Sequence, residues 1–198
     1  KVQSLQVAIE SLFSEAQLIL FLSCANVIIV INGTRKLCIE KKTLNGITSV
    51  YRNEEVISQW LMKVTDPFEV PSRIRGAMEE DKDHYPEKLR GAKKTTMSFA
   101  INLVENKLKS INDKFNNIFA FLPTSVSVYT LPFIVNANFI TDAGRQNLHQ
   151  DYIWNQWLFE EMPKRFVEWM VELAQSKQYG LDYLKLIGRC LVLFRECF

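Results

Sequence analysis

The chain has 198 residues, 47% of them hydrophobic, so it is long and apolar enough to bury a core of its own. A formal net charge of +2 is too small to indicate a nucleic-acid binder, and the longest apolar run, residues 18–31, is too short to cross a bilayer. Four cysteines without a CxxC spacing argue against a zinc site, and their thiols are expected to be reduced. The lack of a signal-peptide pattern predicts a cytoplasmic piece of a larger protein.

The first fifty residues predict a helix followed by a three-stranded meander. Apolar residues recur at helical spacing between positions 5 and 16, and the helix is expected to continue to about Phe21. Three β-branched runs follow at 27–31, 36–40 and 46–52. The Asn-Gly pairs between these runs favour tight hairpins, so the strands are expected to pair antiparallel.

The middle of the chain is predicted to alternate between helices and strands. Asn53 is expected to cap a helix whose inner face includes Val56 and Trp60. A strand is predicted over 95–104, because apolar and polar residues alternate there. The remaining predicted elements are a helix over 72–80, a loop over 110–117 and strands over 118–122 and 133–140.

From residue 150 onward the pattern is helical. Trp154 and Trp157 mark one apolar stripe and Phe166 and Trp169 a second, with Pro163 between them expected to kink or restart the helix. A last helix is predicted over 181–194. Strands followed by a helical end indicate an α+β domain with one sheet and helices on one face, in which the tryptophans form core rather than a client-binding platform.

The chain lacks the short motifs of common catalytic sites. It contains no phosphate-binding glycine loop of the GxGxxG or GxxxxGK[ST] type, and neither GxSxG nor HExxH. Adjacent carboxylates such as Glu160 and Glu161 point apart on a helix and are interpreted as surface charge. The fragment alone is therefore not expected to be an enzyme or to hold a cofactor or metal.

An ordered series of motifs runs through residues 119–174. The motifs are FLPT (121–124), LPF (131–133), NANFITDAGRQNL (136–148) and WNQWL (154–158). The series resembles the domain that follows the ATP-binding domain in sacsin-like and 90-kilodalton heat-shock-chaperone-like members of the gyrase, histidine-kinase and MutL superfamily. The upstream run YPEKLRGAKKT (85–95) is similar as well.

This resemblance implies a transducer domain over residues 1–176 and a C-terminal helical extension over 177–198. The implied fold is a left-handed βαβ sheet like that of ribosomal protein S5 domain 2, with helices on one face. In the family, such a domain couples the nucleotide state of an N-terminal ATPase domain to conformational change. The expected partners are that ATP-binding domain, protein clients and a second copy in a homodimer, and ATP and Mg²⁺ are expected for the full-length protein only.

The same resemblance implies a basic residue that contacts the γ-phosphate. Arg145 follows the strand over 133–140 and is the first candidate, because its guanidinium is always charged and forked. The alternative is a surface Arg that caps the following segment or pairs with Asp142 or Asp151. Lys93 and Lys94 are further candidates, with a solvated pair as the alternative.

One position departs from the family pattern. The chaperones carry a Gln four residues after the Arg, whereas this chain has His149 there.

A non-enzymatic module that binds partners, clients or nucleic acid in a scaffold protein is the alternative function. The basic residues between 73 and 94 enclose an acidic run over 79–83, which favours a mixed solvated surface and argues against nucleic acid.

Overall fold

The computed structural model of the chain describes residues 16–32, 35–111, 117–126, 131–144 and 147–187. The strands are β1 (Val27–Asn32), β2 (Arg35–Leu44), β3 (Ile47–Arg52), β4 (Glu55–Val64), β5 (Phe68–Glu69), β6 (Lys94–Thr95), β7 (Ser98–Val104), β8 (Lys107–Lys109), β9 (Ile118–Ala120), β10 (Leu122–Pro123) and β11 (Ile134–Asn136). The helices are α1 (Ser72–Glu80), α2 (Glu87–Arg90) and α3 (Ile153–Ser176), with 3₁₀ turns at Ala16–Ile19 and Lys82–His84.

In the part of the chain that the structure describes, nine strands form one sheet in the order β1-β2-β3-β4-β7-β11-β9-β10, and β8 also pairs with β7. Every pair in this sheet is antiparallel except β9 and β11, which run parallel. The two short strands β5 and β6 form a separate ladder. Helix α3 packs on the sheet, so the predicted α+β class is confirmed.

The predicted meander is confirmed, with β1 and β2 longer than expected. Asn45 and Gly46 both have positive φ, 52° and 77°, as a type I′ hairpin turn requires. Gly is free to adopt this conformation, and Asn tolerates it better than most residues. At the preceding hairpin, β1 and β2 pair as far as Asn32 with Arg35, while Gly33 lies outside the described residues.

The helix predicted after Asn53 is wrong, because those residues form strand β4. Asn53 and Glu54 have φ of 47° and 74°, so they make a two-residue hairpin turn instead of a helix cap. The Asn53 Oδ1 accepts a hydrogen bond of 2.9 Å from the Cys38 N–H across the meander. Trp60 packs with one core cluster and Leu61 with the other, which is the period-two alternation of a strand.

Three other predicted strands were too long. The strand over 95–104 divides into β6 and β7, and the strand over 118–122 divides at Phe121, whose φ is 66°. Of residues 133–140, Ile134–Asn136 form a strand. Within β7 the predicted face is confirmed, since Phe99, Ile101 and Leu103 are all buried.

Pro163 was predicted either to kink the helix or to restart it. Helix α3 is continuous through Pro163, so the restart is wrong. The helix is followed by Lys177, whose φ of 57° is left-handed, a common way to terminate a helix. Residues 182–187 are helical, and Leu186 is fully buried against the main core. Residues 188–198, with the rest of the predicted last helix, and residues 1–15, with most of the predicted first helix, lie outside the described residues.

The larger core lies between the sheet and α3. Phe166 of α3 stacks on Phe133 with ring centroids 3.9 Å apart, and both contact Phe99 of β7. Trp154 and Trp157 are 0% and 2% exposed. The tryptophans are therefore core residues, as predicted, and do not form an exposed client-binding platform.

The opposite face of the sheet carries a smaller core. Ile19 and Phe21 pack there with Trp60 and Phe119. The Lys41 ammonium donates hydrogen bonds to the carbonyls of residues 20 and 22, which holds the segment around Phe21 against strand β2. Partial burial lowers the pKa of Lys41, an effect that Cys24 opposes.

Candidate functional site

Residues 140–149, which we call the Arg145 loop, leave the sheet beyond β11 and return to the start of α3. Thr141 and Leu148 form an isolated antiparallel bridge between its two arms. The Asp142 carboxylate accepts a hydrogen bond of 2.9 Å from the side-chain Nδ2 of Asn147. The backbone N–H of Asp142 donates a second bond of 2.9 Å to the backbone carbonyl of Asn147. The arms are therefore paired, while Arg145 and its predicted phosphate contact lie outside the described residues.

Asn155, in the first turn of α3, joins both arms of the Arg145 loop. Its Oδ1 accepts a hydrogen bond of 2.9 Å from the Ile140 N–H. Its Nδ2 donates to the Ile140 carbonyl at 2.8 Å and to the His149 carbonyl at 2.9 Å. Asn155 is 0% exposed, so its amide has no access to water. These three bonds to the backbone replace the hydrogen bonds that the amide would make to water if it were exposed.

The neighbouring Trp154 fixes the chain just before the loop. Its indole Nε1 donates a hydrogen bond of 2.9 Å to the Asn138 carbonyl. Phe139 contacts Phe159 one turn further along α3, with ring centroids 5.2 Å apart. The start of α3 thus holds the chain at several consecutive points where it leaves the sheet.

Aromatic rings surround the N-terminal end of α3. The Tyr85 phenolic oxygen accepts a hydrogen bond of 3.1 Å from the Ile153 N–H, which is a free donor of the first helical turn. Burial raises the pKa of Tyr85, which keeps the phenol neutral. The ring of Tyr152 stacks on His149 at 4.4 Å and meets His84 edge-on at 5.8 Å, so two histidines that are distant in sequence flank one tyrosine.

The contact between His84 and Asp81 is expected to stabilise the folded chain in a pH-dependent way. Its Nδ1 lies 2.6 Å from the Asp81 carboxylate, and this hydrogen bond and charge raise the pKa of His84. Because the folded-state pKa exceeds the unfolded value of about 6.5, the stabilisation is present below that pH and is lost as pH rises through the folded pKa. Asp81→Asn should therefore lower the melting temperature at pH 5.5 and leave it unchanged at pH 9.

The matched control for this prediction is Glu80→Gln, which removes an exposed carboxylate next to Asp81 in sequence. Thermal melting of the two variants at both pH values separates the His84 contact from general charge effects. An Asp81→Asn deficit of equal size at pH 5.5 and pH 9 would contradict the assignment, because a neutral imidazole loses the charged part of the interaction.

The predicted lysines lie on a different element from the Arg145 loop. Lys94 opens β6, is exposed, and has its Nζ 3.7 Å from the Glu69 carboxylate. Lys93 is exposed and accepts a hydrogen bond from the Val70 N–H through its carbonyl. Both lysines lie at or immediately before the start of β6, whereas the Arg145 loop follows β11.

The basic residues around α1 and α2 alternate with acidic ones, as predicted for a mixed surface. Arg90 binds both carboxylate oxygens of Glu79 at 3.0 Å, and Arg73 binds Glu160 of α3 at 3.2 Å. Exposed pairs of this kind add little stability and neutralise the local field.

The residues that hold the loop and the start of α3 are not among the predicted site residues. Asn155 belongs to the WNQWL motif, and Tyr85 begins the similar upstream run. A usable signal was the polar Asn155 placed directly between apolar positions on the inner stripe of α3, because a buried amide there needs backbone partners. Which backbone groups would be those partners depends on tertiary structure.

The described residues thus define an α+β domain in which a long helix covers a mixed sheet and is hydrogen-bonded to residues 140 and 149 of the Arg145 loop. No family model matches the chain, and no solved structure matches it. A segment of 51 residues, 26% of the chain, is 43% identical to Protein NO VEIN of Arabidopsis thaliana. The matched segment spans 2% of the length of that protein.

Among the residues that the structure describes, no helix is both long and apolar enough to cross a bilayer. No group of three or more His, Cys, Asp or Glu side chains there is arranged to hold a metal ion.

Proposed function

We propose that the chain is the transducer domain of a cytoplasmic ATPase related to sacsin-like and 90-kilodalton heat-shock-chaperone-like proteins. In this proposal it couples the nucleotide state of an N-terminal ATP-binding domain to conformational change and contributes Arg145 to the γ-phosphate. The observation that carries the proposal is the paired Arg145 loop, both arms of which are hydrogen-bonded to Asn155 of the same motif series. The partial likeness to Protein NO VEIN covers too little of either chain to add a function.

The physical argument concerns positioning. A cation that stabilises charge on a phosphoryl group acts only if it stays in place without reorganisation. The bridge between Thr141 and Leu148 and the bonds from Asn155 give the two arms of the loop that fixed position. Lys93 is the second candidate, and Lys94 ranks after it because its ammonium lies near the Glu69 carboxylate.

We also propose that the domain has the left-handed βαβ arrangement of ribosomal protein S5 domain 2. The parallel pairing of the neighbouring strands β9 and β11 supports this finer assignment. Helix α3 covers one face of the sheet but follows β11, so it is not the helix that would connect these two strands. The division into a transducer domain, 1–176, and a helical extension, 177–198, stays a prediction.

Calorimetric titration of the isolated chain with Mg-ATP tests where the nucleotide binds. We expect no heat of binding, because the chain has no phosphate-binding glycine loop, and the ATP site is assigned to the parent protein's N-terminal domain. The matched control is the full-length parent protein under the same conditions, which should bind. Micromolar binding by the isolated chain would show that the nucleotide site lies within it and would overturn this assignment.

A non-enzymatic partner-binding module is the second candidate function. The edge strand β1 exposes a row of apolar side chains, Val27, Ile29 and Ile31, and Ile31 is 71% exposed. Exposed apolar rows on an edge strand favour association with another chain or a client. Glu-x-x-x-Asn and Asp-x-Gly-x-Gly motifs upstream in the parent gene would support the ATPase, and their absence there would leave the binding module.

A further inference from the structure

We propose that the outer edge of strand β1 is a self-association surface, on which a second copy of this chain pairs its own β1 antiparallel about a two-fold axis at Ile29. The product is a closed dimer in which one sheet runs continuously through both copies. The inference rests on β1 and β2 alone and does not depend on the ATPase assignment.

The backbone of β1 presents a row of hydrogen-bonding groups along its outer edge. Strand β1 begins the strand order of the sheet, and within the described ranges it pairs with β2 on one side. The Asn26 carbonyl accepts a hydrogen bond of 2.8 Å from the Lys41 N–H, so residue 26 points toward β2. Because this direction alternates along a strand, the N–H and C=O groups of Val27, Ile29 and Ile31 point away from β2.

The same three residues carry exposed apolar side chains. Val27, Ile29 and Ile31 are 44%, 50% and 71% exposed. The strand reads VIIVIN, without a charged residue, a proline or a glycine, and its register against β2 continues from Val27 to Asn32 without a bulge. Natural sheets use lysines, prolines, bulges or very short strands to prevent edges from pairing, and β1 shows none of these features along its described length.

Two other edge strands described for this sheet do have such protection. Strand β10, at the opposite end of the sheet, has two residues and ends in Pro123. Strand β8, which pairs with β7, has three residues, of which Lys107 and Lys109 are exposed. The contrast distinguishes β1, because an unprotected edge next to protected ones is typical of an edge that another strand covers.

A second copy fits this edge because β1 is complementary to itself. In an antiparallel pair centred on Ile29, the two Ile29 residues face each other and Val27 faces Ile31 of the second copy. Each facing pair can exchange two backbone hydrogen bonds, since all of these residues point outward. The facing side chains are β-branched and uncharged, a combination that stabilises antiparallel pairs. The pairing occupies both β1 edges, so association ends at the dimer.

Charges on β2 favour the antiparallel orientation. Lys36 lies opposite Ile31, and Glu40 lies opposite Val27. Antiparallel pairing places Lys36 of each copy in the same row as Glu40 of the other, whereas parallel pairing would align like charges. The two β2 strands would lie roughly 14 Å apart, and Glu40 also binds Lys42 at 3.1 Å. Screened charges at that distance bias the orientation, and the backbone bonds and apolar pairs supply the association.

Analytical ultracentrifugation of the chain over a concentration series tests the dimer. We expect a reversible monomer–dimer equilibrium. Ile29→Lys should raise the dimer Kd by ~10²-fold or more, because two ammonium groups would face each other at the axis. The matched control is Val171→Lys, which adds the same charge at a 50% exposed valine of α3 and should dimerise as wild type. A monomeric wild-type chain, or equal weakening by both variants, would overturn the proposal.

A charge pair tests the register and orientation. Val27→Lys alone should weaken the dimer, and adding Ile31→Glu to the same chain should restore it. The new ammonium at position 27 would then face the new carboxylate at position 31 of the second copy. Thermal melting establishes that each variant is folded. Failure of the folded double variant to recover the dimer would contradict the two-fold pairing, because parallel pairing would align like charges instead.

Amide hydrogen exchange distinguishes a second copy from other occupants of the edge. The Val27, Ile29 and Ile31 amides should exchange about 10-fold more slowly at dimer-forming concentration than at high dilution. The Ile28 amide points toward β2 and should be protected at both concentrations. Concentration-independent protection of the three outer amides would show that the chain covers its own edge. A dimer that leaves them unprotected would place the interface elsewhere, and a monomer with unprotected amides would leave the edge to a different protein. Each of these three results would overturn the proposal.

Discussion

Replacing Arg145 with alanine should lower kcat of the parent ATPase by ~10²-fold or more, by analogy with the loss of oxyanion donors and arginine contacts at phosphoryl groups. The guanidinium would strengthen its contact as charge develops on the γ-phosphate, so its loss acts on the transition state more than on nucleotide binding. The change in KM for ATP should therefore be small. The measurement is steady-state ATP turnover of purified full-length protein.

Two variants sharpen this experiment. Arg145→Lys should recover only part of the rate, because an ammonium keeps the charge but lacks the planar fork. Arg73→Ala is the matched control, since Arg73 is an exposed arginine of the same domain that pairs with Glu160 of α3. Wild-type kcat in a folded Arg145→Ala protein would remove Arg145 from the mechanism and direct attention to Lys93 and then Lys94.

Local sequence signals predicted the parts of the fold whose structure is decided locally. The Asn45-Gly46 turn was identifiable because few residue pairs adopt positive φ at both positions. The inward face of β7 followed from strict alternation, and helix α1 lies where the pattern indicated it. In each case neighbouring residues carry the whole signal, so no knowledge of the remaining sheet was needed.

Strand β4 shows why other elements were missed. Its apolar residues at 56, 57, 60 and 61 have the spacing of one face of a helix. Periodicity alone therefore favours a helix here and does not indicate the strand. The choice was settled by pairing with β3 on one side and β7 on the other, and β7 is about forty residues away in the chain. The same nonlocal control shortens the strand predicted over 133–140, since β11 extends only where β7 and β9 flank it.

The sequence indicates which segment contains the candidate site but not the contacts that hold it. The motif series covers residues 136–158, which include both the loop and Asn155. The bonds that make the loop a defined structure join Ile140 to Asn155 and Tyr85 to Ile153, separations of 15 and 68 residues. Such contacts depend on how α3 docks, and helical periodicity fixes which face is buried but not what it meets.

The docking of α3 predicts the largest effect on stability. Phe166 is fully buried, stacks on Phe133 and also contacts Phe99 and Trp169. Phe166→Ala should lower the free energy of unfolding by about 3–5 kcal/mol, because the lost transfer energy is joined by the cost of a cavity between helix and sheet. Domains of this size are stabilised by roughly 5–15 kcal/mol, so much of the total is at stake.

Denaturant unfolding of the isolated chain measures this loss, with an unchanged slope against denaturant concentration showing that the unfolded state is comparable. Val167→Ala is the matched control, because Val167 adjoins Phe166 on α3 but is 44% exposed, and its loss should change stability by no more than about 0.5 kcal/mol. Equal effects of the two substitutions would contradict the packing of α3 on the sheet. They would also remove the support for the Arg145 loop, since Asn155 holds that loop only while α3 stays docked.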